Sequence, residues 1–318
     1  MIIKQSTKEK ILAILTVIIL FSVVGTLFGY ISYNNKKKTD ALKKIVLENK
    51  IRNEKVERFN KIQFDNLPLS DITSKSFLTM ITNDLGTSKI LIQKNPDLVL
   101  PIASITKLMV AIITLENINL ETEITATLDY IGKEESAFIL EANKVYKAKD
   151  LLANALISSD NDSARLLAGA LGESNFLSKM NAKAVELGLT KTNFINVTGL
   201  DPVKPNQILN SSTATDLTKL IIYIKNNYPE IFRLTAKNEY NFCDINNSCK
   251  LVKNTDKLLE NKDLKFKIIG GKTGFTDLAG KNLALLTEIS TDILLINIVL
   301  GSEDNFNDSL SLINHIKI

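Results

Sequence analysis

Three short clusters in this chain combine residue types that could do chemistry. The first is Ser104-Ile105-Thr106-Lys107. At the start of a helix, residues i and i+3 share a face, so the Lys107 amine can lie against the Ser104 hydroxyl. A serine hydroxyl needs an adjacent base to act as a nucleophile. The only histidine of the chain is His315, in a Leu-Ile-Asn-His-Ile context near the C-terminus, so lysine is the available base. With 21 serines and 35 lysines, about two such spacings are expected by chance. This one occurs alone, so by itself it carries little weight.

The second cluster is Ser159-Asp160-Asn161, between two stretches of helical periodicity. A hydroxyl and a carboxamide two residues apart on a turn can face one cleft. Ser, Asp and Asn are also the preferred helix N-caps, which would give the triplet a purely structural role ahead of a helix from Asp162. The third is Lys272-Thr273-Gly274, after Gly270-Gly271 and an apolar run. A cation and a hydroxyl at a strand end can grip a carboxylate, and Gly274 allows a substrate backbone to come close. A plain Gly-rich strand end or bulge is the alternative.

Elements that could position these clusters follow from hydrophobic period. Ser76–Thr82 and Ser88–Gln93 around Asp84-Leu85-Gly86-Thr87 predict a β-hairpin. Leu108, Ile112 and Leu115 recur at helical spacing after Ser104. Helices are predicted over 148–157, 162–171 and 173–187, and another after Ser212-Thr213-Ala214. The period then falls towards two, predicting strands over 266–269, 283–289 and 293–300, and the chain closes on a helix over 302–316. Strands at both ends of a helical middle predict an α+β domain with an antiparallel sheet packed on helices.

Charge divides the chain. Of 39 Lys+Arg and 35 Asp+Glu, 13 and 5 fall in residues 1–62, which leaves 26 against 30 elsewhere. The globular part is therefore acidic, the opposite of a nucleic-acid-binding domain, so no nucleic-acid partner is expected. Ile11–Asn35 carries no charge and supplies the roughly 20 apolar residues a transmembrane helix needs. Tyr30 and Tyr33 sit where an interfacial aromatic belt would lie. A cleaved signal has a shorter apolar region and ends in a small-x-small site, whereas this run ends Phe28-Gly29-Tyr30-Ile31. The expected organisation is a cytoplasmic N-terminus over 1–10, a transmembrane anchor over 11–33, a charged helical stalk over 34–68 and a folded domain over 69–318. Three lysines precede the anchor and five follow closely, which by the positive-inside rule would place the domain in the cytoplasm. One histidine and two cysteines leave little for a metal site, and no cofactor is expected. Cys243 and Cys249 enclose five residues, which fits a small disulfide loop at a hairpin tip in an exported domain or two free thiols otherwise.

Together, SxxK, SDN and KTG are the signature shared by class A β-lactamases and penicillin-binding proteins. The chain resembles the D-alanyl-D-alanine carboxypeptidases of low molecular mass, serine peptidases of the β-lactamase/transpeptidase-like superfamily. The resemblance runs over roughly 69–318, through Leu100-Pro101-Ile102-Ala103-Ser104, Thr198-Gly199-Leu200-Asp201, Asn254-Thr255 and Gly271-Lys272-Thr273-Gly274-Phe275. It implies an antiparallel sheet flanked by helices plus a mostly helical subdomain. It also implies attack of Ser104 on the carbonyl between the terminal D-alanines of a peptidoglycan stem peptide. Lys107 would be the base, Ser159 would relay the proton, Asn161 would bind the substrate amide, and Lys272 with Thr273 would hold the carboxylate. The backbone N–H groups of Ser104 and Phe275 would form the oxyanion hole, and β-lactams would acylate Ser104. The catalytic domain would then lie on the extracytoplasmic face of the cell membrane, against the lysine count.

Phe275 stands where relatives commonly carry His, and no Arg follows Gly274. A class A β-lactamase would need a deacylating Glu in the loop before the third motif, and Lys191–Asp201 has none. A D,D-endopeptidase acting on cross-links would use the same site. A catalytically silent peptidoglycan-binding protein would be marked by failure of Ser104 to react with β-lactams.

Overall fold

The computed structural model describes residues 2–132, 140–202 and 209–318. The chain forms two units, residues 1–61 and 62–318. The first is one helix, α1 (Ile2–Lys61), and every side chain from Ile11 to Tyr33 is exposed. It is long and apolar enough to cross a membrane.

In the second unit a short strand over Gln63–Phe64 and a 3₁₀ turn over Leu69–Asp71 precede the hairpin β1 (Ser76–Asn83) and β2 (Ser88–Lys94). A 3₁₀ turn over Ala103–Thr106 leads into α2 (Lys107–Asn117). Then come α3 (Ala148–Ile157), α4 (Asn161–Gly169), α5 (Glu173–Glu186), α6 (Ala214–Asn227) and α7 (Pro229–Thr235). A second hairpin, β3 (Glu239–Cys243) and β4 (Cys249–Lys253), precedes β5 (Lys267–Thr276), β6 (Gly280–Ser290), β7 (Ile293–Ser302) and α8 (Asn305–Asn314). The main sheet has the order β5-β6-β7-β1-β2 and is antiparallel throughout. Strands from the two ends of the unit thus meet at β7 and β1, with the helical middle inserted between them.

These central strands are covered on both sides. Phe77 and Val299 pack with Ile72 and Leu312 of α8 on one face. Leu78, Met80, Ile296 and Ile298 join the main core with the helices on the other. Double coverage makes β1 buried at seven of its eight positions, which blunts the period-two signal. In α2, all of Lys107–Thr114 is buried, so this helix runs through the interior and not along a surface. A lysine at its first position is therefore desolvated by the packing of its own helix.

The expected α+β architecture is present. Its largest adjustment concerns β5, which continues to Thr276 and carries Lys272-Thr273-Gly274 inside the strand; the bulge lies earlier, between Ile268 and Gly270. The helix α7 escaped periodicity because seven residues led by Pro229 span only two turns. Cys243 and Cys249 are joined in a disulfide that closes the β3–β4 hairpin.

Candidate active site

Ser104 lies in the 3₁₀ turn, where residues three apart eclipse, and this brings Lys107 onto it. Lys107 Nζ is 2.8 Å from Ser104 Oγ. It also donates to Asn161 Oδ1 at 2.7 Å and to the Thr198 carbonyl at 2.9 Å. Lys107 is fully buried, and burial pushes its amine well below the usual lysine range; the Lys272 charge adds to the effect and Asp160 opposes it.

The turn carrying Ser104 is tightly shaped. Ala103 adopts φ 47°, a left-handed conformation uncommon for a residue with a Cβ. Gly199, at φ 86°, packs directly behind it: a Cβ there would come within 2.0 Å of the Ala103 carbonyl oxygen. The Gly199 loop is itself fixed by side chains. Asn196 Oδ1 accepts from Thr198 N and Gly199 N, and Asn210 Nδ2 links the Asn196 carbonyl to Thr106 Oγ1 of the nucleophile turn.

Ser159-Asp160-Asn161 serves two purposes at once. Asp160 is the N-cap of α4, accepting from Ser163 N at 2.7 Å. Ser159, at φ 63°, turns the chain sharply between α3 and α4, and its hydroxyl accepts from Lys272 Nζ at 2.8 Å. Asn161 is the first residue of α4 and meets Lys107.

On the opposite wall, Lys272 is 1% exposed on the edge strand β5. Burial lowers its ammonium to about 7, with the nearby Asp256 carboxylate opposing. Asp256 is buried in turn, and desolvation raises it to about 6. Thr273 is half-buried with its hydroxyl paired to that of Thr255. Gly274 has a neighbour within the protein as well as any substrate: a Cβ there would lie 2.6 Å from the Ile102 carbonyl oxygen and 3.1 Å from Ser104 N. That close approach sets the Ser104 amide beside β5. Phe275 is 62% exposed at the rim.

Ser104, Ser159, Thr273, Gly274 and Phe275 line one cleft of about 330 Å³, together with Thr255 and Phe306. Lys107, Asn161 and Lys272 are buried immediately behind it: Lys107 meets Ser104, Lys272 meets Ser159, and Asn161 accepts from Lys107. All eight residues selected from the sequence thus meet at one place. Sequence reasoning gave no role to Thr198, Gly199, Thr255 and Asp256. Thr198, Gly199 and Thr255 fall in segments that carry the family resemblance, but nothing local in sequence ties Thr255 or Asp256 to Thr273 and Lys272, which lie 18 and 16 residues later. Glu186 lies on α5 and pairs with Lys183, and no glutamate occupies the loop from Lys191 to Asp201.

A serine beside a buried lysine, a second serine beside a second lysine, and a hydroxyl-lined wall form an arrangement suited to acyl transfer. Comparison with known proteins agrees. The sequence model of the D-alanyl-D-alanine carboxypeptidase family matches residues 61–304. A D-alanyl-D-alanine endopeptidase of Escherichia coli K12 is 34% identical over 236 residues, covering 72% of this chain and 73% of that protein. The crystal structure of a D-alanyl-D-alanine carboxypeptidase from Mycobacterium tuberculosis H37Rv superposes with a TM-score of 0.69 at 26% identity, over 80% of this chain and 95% of that one. Penicillin-binding protein D2 of Listeria monocytogenes, in its ampicillin-bound form, gives 0.67 at 26% identity over 78% and 99%. With the family match spanning most of the chain and the fold shared with penicillin-binding proteins, this protein belongs to the D-alanyl-D-alanine carboxypeptidase family, the S11 peptidases.

Proposed function

We propose that the protein is a serine-type D-Ala-D-Ala carboxypeptidase that removes the terminal D-alanine from peptidoglycan stem peptides through an acyl-enzyme on Ser104. The observation that carries this is the hydrogen-bond set of Lys107. A neutral amine has two N–H bonds and one lone pair. Three oxygens surround Nζ: in the neutral amine Asn161 Oδ1 and the Thr198 carbonyl would take the two N–H bonds, and the lone pair would accept from the Ser104 hydroxyl. Burial favours the same neutral form. Lys107 accepts the Ser104 proton as Oγ attacks the carbonyl. The backbone N–H groups of Ser104 and Phe275 receive the developing oxyanion. Ser159, held by Lys272, relays that proton: it gives its own hydrogen to the departing D-alanine amine and takes the one carried by Lys107 in return, which leaves both as they began. Lys272 and Thr273 hold the carboxylate of that residue, and the Asn161 Nδ2 group, free of the bond to Lys107, binds the substrate amide. Water then hydrolyses the ester on Ser104.

β-Lactams carry the same carboxylate and a reactive amide, so they acylate Ser104. The absence of a glutamate from Lys191 to Asp201 leaves the acyl-enzyme long-lived, as in a penicillin target and unlike a class A β-lactamase. Because the substrate lies outside the cytoplasm, α1 acts as a single-pass anchor with the catalytic domain on the extracytoplasmic face.

The test is covalent labelling of the full chain, in detergent, with a fluorescent penicillin. Wild type is expected to take one label, seen by gel and intact mass, and Ser104→Ala none. An unlabelled wild type would replace this reading with that of a silent peptidoglycan-binding protein. A second activity, D,D-endopeptidase cleavage of cross-links, is favoured by the E. coli endopeptidase among the relatives. Incubation with a purified pentapeptide muropeptide and a cross-linked dimer, analysed by mass, separates the two: loss of D-alanine from the first or conversion of the second to monomers.

A further inference from the structure

Thr255 lies outside the three clusters, on the segment between β4 and a 3₁₀ turn over Lys257–Glu260. It nevertheless lines the cleft with Ser104, Ser159 and Thr273. Its backbone is anchored on several sides. Thr255 N donates to the Ile157 carbonyl at the end of α3. Asn254 Nδ2 donates to the Thr235 and Lys237 carbonyls, both at 2.8 Å, and Asn254 Oδ1 accepts from Asp256 N at 2.9 Å. These bonds fix the place of a half-buried side chain whose hydroxyl meets Thr273 Oγ1.

Two paired hydroxyls hold two hydrogens. One lies between the oxygens, and the other is left to point away from the pair. With Thr255 as the donor, the hydrogen left over is that of Thr273, a single directed O–H on the strand that also carries Lys272. An isolated threonine hydroxyl rotates freely and can turn its lone pairs towards an anion, which repels it. We infer that Thr255 is a positioning residue for the carboxylate end of the ligand: its hydroxyl orients that of Thr273 so that a donor faces the cleft. This rests on the assignment of Ser104 as the acylated nucleophile and of Lys272 and Thr273 as the carboxylate grip.

The experiment compares two acylating probes on the full chain in detergent: benzylpenicillin and its methyl ester, which lacks the carboxylate. Second-order acylation rates are followed by intact mass. Thr255→Val keeps the branched shape and removes the hydroxyl. It is expected to slow benzylpenicillin about tenfold, the order of one hydrogen bond to a charged group, and to leave the methyl ester within about twofold of wild type. Thr255→Ser is expected to restore benzylpenicillin to within about twofold. Equal slowing of both probes would mean that the threonine only packs the cleft, and unchanged benzylpenicillin acylation would mean that Thr273 needs no partner; either result overturns the inference. If wild type reacts with neither probe, it is the assignment of Ser104 that falls.

Discussion

Lys107 begins a helix covered on every face, and its N–H bonds meet a carboxamide and a backbone carbonyl. Lys272 lies on an edge strand, donates to a hydroxyl and a carbonyl, and has the Asp256 carboxylate near it. Both side chains are buried, yet their surroundings differ. Burial lowers both pKa values and a carboxylate opposes each shift, Asp160 for Lys107 and Asp256 for Lys272, but only Lys107 is lowered further by neighbouring cations, Lys272 first among them. Burial and the Lys272 charge thus favour the neutral form of Lys107, the form the proposed base needs, while Lys272 retains a proton up to about 7, as the proposed carboxylate grip needs. In the proposed mechanism one residue type serves as base and as cation because the protein varies what lies around it.

Arginine breaks this comparison most sharply, because it keeps its charge at any working pH. Lys107→Arg and Lys107→Met should both lower the rate of acylation by benzylpenicillin about 10³-fold, the scale of a lost general base. Lys272→Arg should retain a larger share of the rate than Lys272→Met, since a cation is what that position supplies. If arginine were equally damaging at the two positions, charge would not be what separates them, and the assignment of base and cation would have to be withdrawn.

The next largest effect tests the shape of the nucleophile corner. Gly199→Ala places a methyl within 2.0 Å of the Ala103 carbonyl oxygen and at a positive φ. The turn bearing Ser104 must shift, and a shift near 1 Å in a reacting group costs about 100-fold. Acylation should fall by that order. Circular dichroism and thermal melting should show the variant folded, because the clash is confined to a loop and a turn. A variant acylated at the wild-type rate would show that the turn has room to move.

How much of this was legible beforehand follows from how local each signal is. Ser104 and Lys107 are one turn apart, and Ser159 and Asn161 are two residues apart, so chemistry and spacing coincide in the sequence. A cap within the triplet is legible for the same reason, and the structure gives that place to Asp160, with the helix starting at Asn161 and not at Asp162. Lys272-Thr273-Gly274 reads as a cluster at a strand end and not inside a strand, since three glycines in five residues leave β5 with few side chains to show a period. Thr255 and Asp256 act on β5 across a turn and an intervening segment, and Gly199 acts through empty space that only a neighbour's position defines. Such relations exist in the fold and have no local pattern.

The pH profile sharpens the comparison at smaller scale. The Asp256 carboxylate favours the charged form of Lys272. Asp256→Asn removes that support, so the alkaline limb of the acylation rate, where Lys272 loses its proton, should move to lower pH. The acid limb, set by protonation of Lys107, should stay in place, since Asp256 is not among the groups acting on it. Stability carries its own sign. Asp256 is raised to about 6 in the folded protein against roughly 4 unfolded, so between those values the folded state binds more protons. Stability contributed by this group is therefore lost as pH rises from about 4 through 6. Asp256→Asn should abolish that slope in melting experiments. An alkaline limb that does not move would show that Asp256 sits near Lys272 without governing it.

The smallest expected effect concerns the hairpin that leads into Asn254 and Thr255. Its base is held independently of the cysteines. Phe242 stacks on Tyr146 with ring centroids 4.9 Å apart, and the Tyr240 hydroxyl donates to Asp150 at 2.6 Å. The Cys243–Cys249 bridge closes only the distal end. A loop this short restricts the unfolded chain modestly, by about 2 kcal/mol, so Cys243→Ser with Cys249→Ser should lower Tm by roughly 5 °C. Benzylpenicillin acylation should stay within about twofold of wild type, because the anchors of Thr255 run to Ile157, Thr235 and Lys237 and not to the hairpin tip. If the double variant instead slowed benzylpenicillin while sparing its methyl ester, order at the tip would be reaching Thr255. The carboxylate wall would then depend on a covalent clip, whereas the nucleophile corner is held by packing and hydrogen bonds alone.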